Sequence, residues 1–365
     1  MTEQNLQSVL EKVYASDQPA VTDLVYLLEQ TGDGPTEQIM RFADNVRRRF
    51  VSDGIVLRGI VEFSNFCRND CAYCGLNKHN TDLPRYRLTR EQITQSVAEI
   101  AAAGIKTVVL QSGEDPLPDP LWLAQLIEKI KTDFDMAVTL SVGERSTEEY
   151  QLWKDAGADR YLLKIETTNP NLYERLHPCM KLENRLRCLD DLKTLGYQTG
   201  SGSIIGLKNQ TCEDLARDII FFRDNDFDML GIGPFIPHER TPLANEPVGD
   251  MGLTLRTLAL ARIITRNTHL PATTAVGVAG STDSVKAALK AGANVIMLNF
   301  TPPEYKKLYQ IYSGRDSYIG SPDRAINKLK DIARSIGRNI SFSRADSLKN
   351  RKENAPLGQV LVNSN

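Results

Sequence analysis

The feature that most constrains this chain is a rhythm. From Asp53 onward, short apolar runs alternate with helical patterns, and the runs count to eight: residues 55–63, 106–111, 136–142, 160–166, 199–206, 228–236, 271–276 and 293–300. Most are shorter than a buried helix requires, and each is followed by a segment with apolar residues at helical spacing. Thr89 with Gln92 predicts a capping box opening the first such helix, which Gly104 stops. Parallel strands joined by right-handed helical crossovers bury runs of this kind, and eight units predict a complete (β/α)8 barrel. In such barrels the chemistry sits at the carboxyl ends of the strands. The polar clusters fall there: residues 111–116 after the second run, 141–145 after the third, 164–168 after the fourth, 234–238 after the sixth and 299–302 after the eighth. The barrel is expected to be catalytic.

A barrel of about 250 residues plus extensions fits 365 residues. The expected divisions are a helical extension over residues 1–50, the barrel over 51–340 and a tail over 341–365. Leu6, Val9, Leu10 and Val13, then Val21, Leu24, Leu27 and Leu28, recur at helical spacing and make the extension a packed cap. Beyond Gly337 the sequence turns polar and loses periodicity, which predicts a mobile tail without function. Basic residues number 44 against 46 acidic, a net charge of −2, with neither sign in a long run. Nucleic acid and anionic membrane are therefore not expected partners. The first residues show no basic segment followed by an apolar one, and no stretch approaches about 18 apolar residues, so a cytoplasmic protein is expected.

Six cysteines in a chain of this length, three of them close together, argue for a reduced metal site over a disulfide framework. Cys67, Cys71 and Cys74 lie directly after the first strand; Cys179, Cys188 and Cys212 are singles, expected to pack in helical segments as small apolar groups. Thiolates suit iron–sulfur clusters or zinc. Three of them leave one iron of a four-iron cluster open to a substrate or cofactor. A zinc site is the competing reading, and its fourth ligand would have to be His79. Among the four histidines, only His238 stands at a strand end.

Cys-x3-Cys-x2-Cys, with Tyr73 before the last cysteine, resembles the signature of the radical S-adenosylmethionine (SAM) enzymes. The resemblance implies a [4Fe–4S] cluster on Cys67, Cys71 and Cys74, with SAM chelating the fourth iron and being cleaved reductively to a 5′-deoxyadenosyl radical. Residues 112–116, Ser-Gly-Glu-Asp-Pro, resemble the family's Gly-Gly-Glu-Pro motif, so Ser112, Gly113 and Glu114 are implied along the amino group of the cofactor. A tight turn would explain the glycine but not the acids. Residues 202–206 look like the glycine-bearing fifth strand that lets backbone approach the adenine, towards which Tyr73 leans. Longer stretches, among them TVVLQSGEDP, GYQTGSGSIIG, GIGPFIPH and TPLAN, are similar to the HydE family of FeFe-hydrogenase maturases over about residues 56–312. That similarity implies further cofactor contacts from Gln111, Ser141, Glu166, Arg185, Met297 and Tyr309. Lys164, Thr273, Thr274 and His238 are implied to face the substrate. The Glu166 carboxylate suits the ribose hydroxyls or the methionine ammonium, and the Arg185 fork suits the methionine carboxylate.

The implied activity is hydrogenase cofactor assembly on a small sulfur- or iron-containing substrate, organic or organometallic. A low-potential electron donor such as ferredoxin or flavodoxin and other hydrogenase maturases are the implied partners. Two departures bear on it. No cysteine lies between Ser313 and Asn365, so a single cluster is expected. The fourth strand ends Lys164-Ile165-Glu166 where the family pattern suggests Arg-His-Glu, which removes a bidentate fork and a polar handle. Alternatives are a paralogue with another substrate, a methylornithine-synthase-like or biotin-synthase-like enzyme on a small amino acid, and an iron–sulfur carrier. The barrel mouth is expected to carry hydroxyls and few hydrophobic walls, to suit something small and polar.

Overall fold

Three amphipathic helices open the chain: α1 (Leu6–Ala15), α2 (Val21–Leu28) and α3 (Asp33–Phe50). The computed structural model describes residues 5–117, 119–314 and 322–349. The apolar faces of these helices, Leu10, Leu24 and Leu27 among them, are fully buried. They pack on two outer helices, α9 (Cys212–Asp224) and α10 (Met251–Thr265), and so brace the sheet from outside.

The strands are β1 (Gly54–Ser64), β2 (Thr107–Ser112), β3 (Ala137–Ser141), β4 (Arg160–Leu162), β5 (Gln198–Ser201), β6 (Ile204–Ile205), β7 (Met229–Leu230), β8 (Gly233–Pro234), β9 (Val295–Asn299) and β10 (Asn339–Ser341). Every strand pairing is parallel, in the order β1-β2-β3-β4-β5-β7, with β9 on the other side of β1. β1 is buried almost throughout, as a parallel strand covered on both faces must be. Intervening helices such as α4 (Arg90–Ala102) carry the expected capping box at Thr89.

Of the expected barrel, the structure shows a strongly curled parallel sheet, a half-barrel in which seven strands curl through 235°. The departure lies at residues 271–276. There the chain makes only isolated bridges, His269 to Met229 and Pro271 to Val295, and turns helical at Thr274 in α11 (Thr274–Ala279). Pro271 has no donor to give a ladder. The fifth and sixth runs are each split, because Gly202 and Gly231 meet back to back. A Cβ at Gly202 would lie 2.1 Å from the Gly231 carbonyl oxygen. β6 and β8, beyond the split, form their own parallel pair.

A mobile tail beyond Gly337 is also corrected, for the residues described there. β10 adds beside the start of β1, and residues 344–349 cross the amino ends of the strands. Arg160 donates to Asp346 Oδ1 at 2.7 Å and to the Arg344 carbonyl at 2.8 Å. Thr107 donates to the same carbonyl at 2.9 Å, and Arg344 pairs with Asp159. Polar bonds to backbone hold this strap, and they leave no periodicity to read. Residues 350–365 lie outside the described residues. No helix among the described residues is long and apolar enough to cross a membrane.

The Arg160 side chain is 1 % exposed and that of Asp346 47 %. Replacing Asp346 by Asn should therefore cost about 1–3 kcal/mol, less than a fully buried pair because water still screens the carboxylate. A lowered urea midpoint at unchanged slope would report it. Burial works against the Asp346 carboxylate, but Arg160, Gln198 and Arg344 together outweigh it, so its pKa lies below the ordinary 3.8. The contribution is thus present above 3.8 and lost as pH falls below it.

Candidate active site and cysteine loop

The cysteine loop leaves the carboxyl end of β1 and is folded around one arginine. Arg85 donates to the carbonyls of Asn65 (2.6 Å), Leu76 (3.0 Å), Asn77 (2.8 Å) and Asn80 (3.1 Å), which bracket all three cysteines. Two residues on, Arg87 forks onto Asp115 at 2.7 and 2.8 Å and stacks 3.6 Å above the Phe66 ring. Asp115 is 1 % exposed and also accepts from Ser64 at 2.6 Å. The loop is thereby bolted to the turn after β2.

Gly113 is where the two segments touch. A Cβ there would lie 2.2 Å from the Phe66 carbonyl oxygen and 2.9 Å from Cys67 Cβ, so the glycine serves close approach of the cysteine loop. Gly75 plays the same part on the far side, against the Gln310 carbonyl and the His238 ring. His238, expected at the substrate, is instead buried against Gly75, and its Nδ1 accepts from Arg240 N. Tyr73 hydroxyl lies 3.0 Å from His177 Nε2, giving that histidine a partner on the loop.

Burial pushes all three loop thiols up, Cys74 to about 12, with neighbouring sulfurs adding to the effect at Cys71 and Cys74. They are neutral at pH 7 until a metal displaces their protons. Of the remaining cysteines, Cys188 is buried in α8 (Leu182–Thr194), as expected. Cys212 opens α9. Cys179 is exposed in a turn, a correction to its helical reading, with its N–H on Asp70 at 3.1 Å.

Cys67, Cys74 and Tyr73 face a cavity of about 360 Å³ at the carboxyl ends of the strands. Gln111, Ser112, Glu114 and Ser141 line it from β2 and β3, and Lys164, Glu166 and Arg185 from β4 and the helices after it. Thr273, Thr274 and Met297 line it as well. Cys71, Gly113, Tyr309 and His238 are not in its walls. Tyr309, 1 % exposed, stands behind, accepting from Gln111 Nε2 at 3.1 Å. The walls are more apolar than expected, with Ile60, Leu162, Leu163, Ile204, Phe235 and Ile236 among them, because the strand ends turn branched side chains inward between the polar ones.

Charge in the cavity is paired. Arg185 meets Glu144 at 2.6 Å and the Lys164 carbonyl, and is 7 % exposed. Burial opposes its charge, and Tyr173 and Glu144 more than offset that. Glu144 lies in the polar cluster 141–145 but had no role assigned from sequence; it follows Gly143 just past the end of β3, and its N–H donates to Glu114 Oε2 at 2.8 Å. Glu114 also pairs with Arg68 at 2.7 Å. Lys164 Nζ lies 2.8 Å from Glu166 Oε2, outside hydrogen-bond geometry, so this is a charge contact. Glu166 itself has φ 65°, rare for a residue with a side chain.

Three half-buried thiols beside a paired-charge cavity at strand ends make up the geometry that comparison with known proteins can test. The family model described as "Radical SAM superfamily" matches residues 61–222. The [FeFe] hydrogenase maturase subunit HydE of Thermotoga maritima is 50% identical over 307 residues, 84% of this chain and 87% of that one. The chain belongs to the radical SAM superfamily. It is an enzyme, and the superfamily's cofactors are a [4Fe–4S] cluster and SAM. A 3-methylornithine synthase of Methanosarcina acetivorans is 27% identical over 81% of this chain and 84% of its own length. The crystal structure of methylornithine synthase (PylB) superposes with TM-score 0.81 at 25% identity, covering 93% of this chain and 98% of that one. The structure of HydG, at TM-score 0.78 and 17% identity, shares the fold.

The residues present suit such a cluster better than zinc. Among the described residues no three metal-binding side chains converge on one point, as a single ion would require. Replacing Gly113 by Ala should push the cysteine loop off the β2 turn. After anaerobic reconstitution, iron and sulfide per chain should fall well below wild type. Gly34→Ala, where a Cβ meets nothing within 4 Å, should leave both unchanged.

Proposed function

We propose that this radical SAM enzyme is a maturase of the HydE kind, acting in assembly of the FeFe-hydrogenase cofactor on a small sulfur- or iron-containing substrate. The observation that carries the proposal is the 50% identity to a HydE over 87% of that protein's length. Cys67, Cys71 and Cys74 would hold the cluster, which when bound supplies the electron for cleaving the SAM sulfonium to a 5′-deoxyadenosyl radical. Ser112, Gly113 and Glu114 would run along the methionine end of SAM, with Gln111 oriented by Tyr309. Glu166 would take the ribose or ammonium, and Arg185, already turned by Glu144, the carboxylate. Ser141 and Met297 would complete the cofactor's walls. Thr273, Thr274 and Lys164 would meet the substrate; Thr273 already donates to the Ile232 carbonyl at 3.3 Å and so presents an acceptor to the cavity. A ferredoxin- or flavodoxin-like donor would supply electrons, and other maturases would take the product. The curled sheet would close into the full eightfold ring across the bridges at His269 and Pro271, which supports that reading.

Reconstituted without oxygen and reduced with dithionite, the protein should release 5′-deoxyadenosine from SAM, and Cys74→Ala should lose both iron and release. Intact SAM after reduction would sink the assignment. For the maturase role, the gene should restore hydrogen uptake to a host lacking its own HydE.

A second reading, an amino-acid mutase of the methylornithine synthase kind, is favoured by the Lys164–Glu166 contact, which leaves an ammonium in the cavity where the family pattern has a fork. Deuterium passing from a labelled amino acid into deoxyadenosine, with no restored hydrogen uptake, would decide for it.

A further inference from the structure

Glu166 sits in a conformation that needs holding. With φ 65° and 8 % exposure, its backbone lies in the left-handed region that residues with a side chain avoid, and such geometry persists only where the surroundings over-determine it. Its own main chain is tied on both sides to the glycine-bearing fifth run. Glu166 N donates to the Gly202 carbonyl at 3.0 Å, and Ile204 N donates to the Glu166 carbonyl at 3.3 Å.

The side chain that locks this arrangement stands on α9, outside the cavity. Asp218 is 1 % exposed and uses both oxygens. Oδ1 accepts from Thr168 N and from Thr168 Oγ1, each at 2.7 Å, two residues past Glu166. Oδ2 accepts from Ser203 Oγ at 2.9 Å, the residue bridged to Glu166 in the neighbouring strand. One carboxylate therefore clamps both arms of the turn. The face of a helix that packs on a sheet is ordinarily apolar, and burial pushes the Asp218 pKa up to about 6, so a carboxylate here is costly. Asp214, one turn away on the same helix, is itself engaged by Asn169 at 2.8 Å and by Thr211.

We infer that Asp218 is a positioning residue for SAM, acting through Glu166 by fixing the turn that aims its carboxylate into the cavity. The inference rests on the reading of Glu166 as a cofactor contact. It is tested by a double-mutant cycle on the full reconstituted chain, with SAM affinity read from the change SAM causes in the electron paramagnetic resonance of the reduced cluster. Asp218→Asn, which keeps the shape, should weaken SAM about tenfold, the worth of one or two bonds to a charged acceptor, with iron content unchanged. Glu166→Gln should also weaken it, and adding Asp218→Asn to that variant should cost nothing more, since the clamp would have no carboxylate left to aim. Thr168→Val, which removes one bond and leaves α9 untouched, should show the same dependence on Glu166 with a smaller loss. An unchanged affinity in Asp218→Asn, or an equal loss with and without Glu166, overturns the inference. Wild-type affinity in Glu166→Gln would instead overturn the assignment of Glu166, and the inference with it.

Discussion

The contact between Gly113 and the Phe66–Cys67 backbone is the constraint on which the site depends. It sets the distance between the segment that carries the thiols and the strand end that carries Ser112 and Glu114, and it tolerates no side chain. A van der Waals limit of that kind is a stop, not a glue. The attraction that presses the segments together is ionic, Arg87 on Asp115, while Arg85 holds the loop to its own path through four of its carbonyls. Each carbonyl left without its donor would cost about 1–3 kcal/mol once buried, so the loop has few alternatives to the path it takes.

The same device recurs around the cavity. Glu144 links two candidate contacts, turning Arg185 by its carboxylate and approaching Glu114 by its amide. Asp218 does for the β4 and β5 ends what Asp115 does for β1 and β2. Buried pairs of this kind are poor sources of stability, because desolvation consumes most of the Coulomb gain. Their use here is geometric. They fix side chains in one orientation at the mouth while hydrophobic burial in the strands and outer helices holds the fold.

The amino ends of the strands are arranged on a different principle. Arg58 and Arg160 fill that end from within, and burial lowers the pKa of both, Arg58 to about 9. The strap of residues 344–349 brings carbonyls and Asp346 to them from outside. A polar segment thus closes the end opposite the site, which leaves the cavity opening where the cysteines are.

Some of this was legible beforehand and some was not. The alternation of apolar runs specified parallel strands and crossovers, since period and length are local properties of the chain. The cysteine spacing specified the cluster reading, since three ligands within eight residues must share a loop. Placement of polar residues at run ends foretold most of the cavity, because strand direction dictates which end a residue reaches. What stayed hidden depended on partners distant in sequence. Glu144, Arg85 and Asp218 look like ordinary charges until the turns they bind are folded beside them, and His238 could be told from a substrate contact only by the glycine it packs on. The seventh run failed as a strand because neighbours and Pro271 withheld its ladder, and the polar tail found a berth only once two buried arginines had created one. Local periodicity decides which elements form; desolvation and close packing, which act between elements, decide where each side chain ends up.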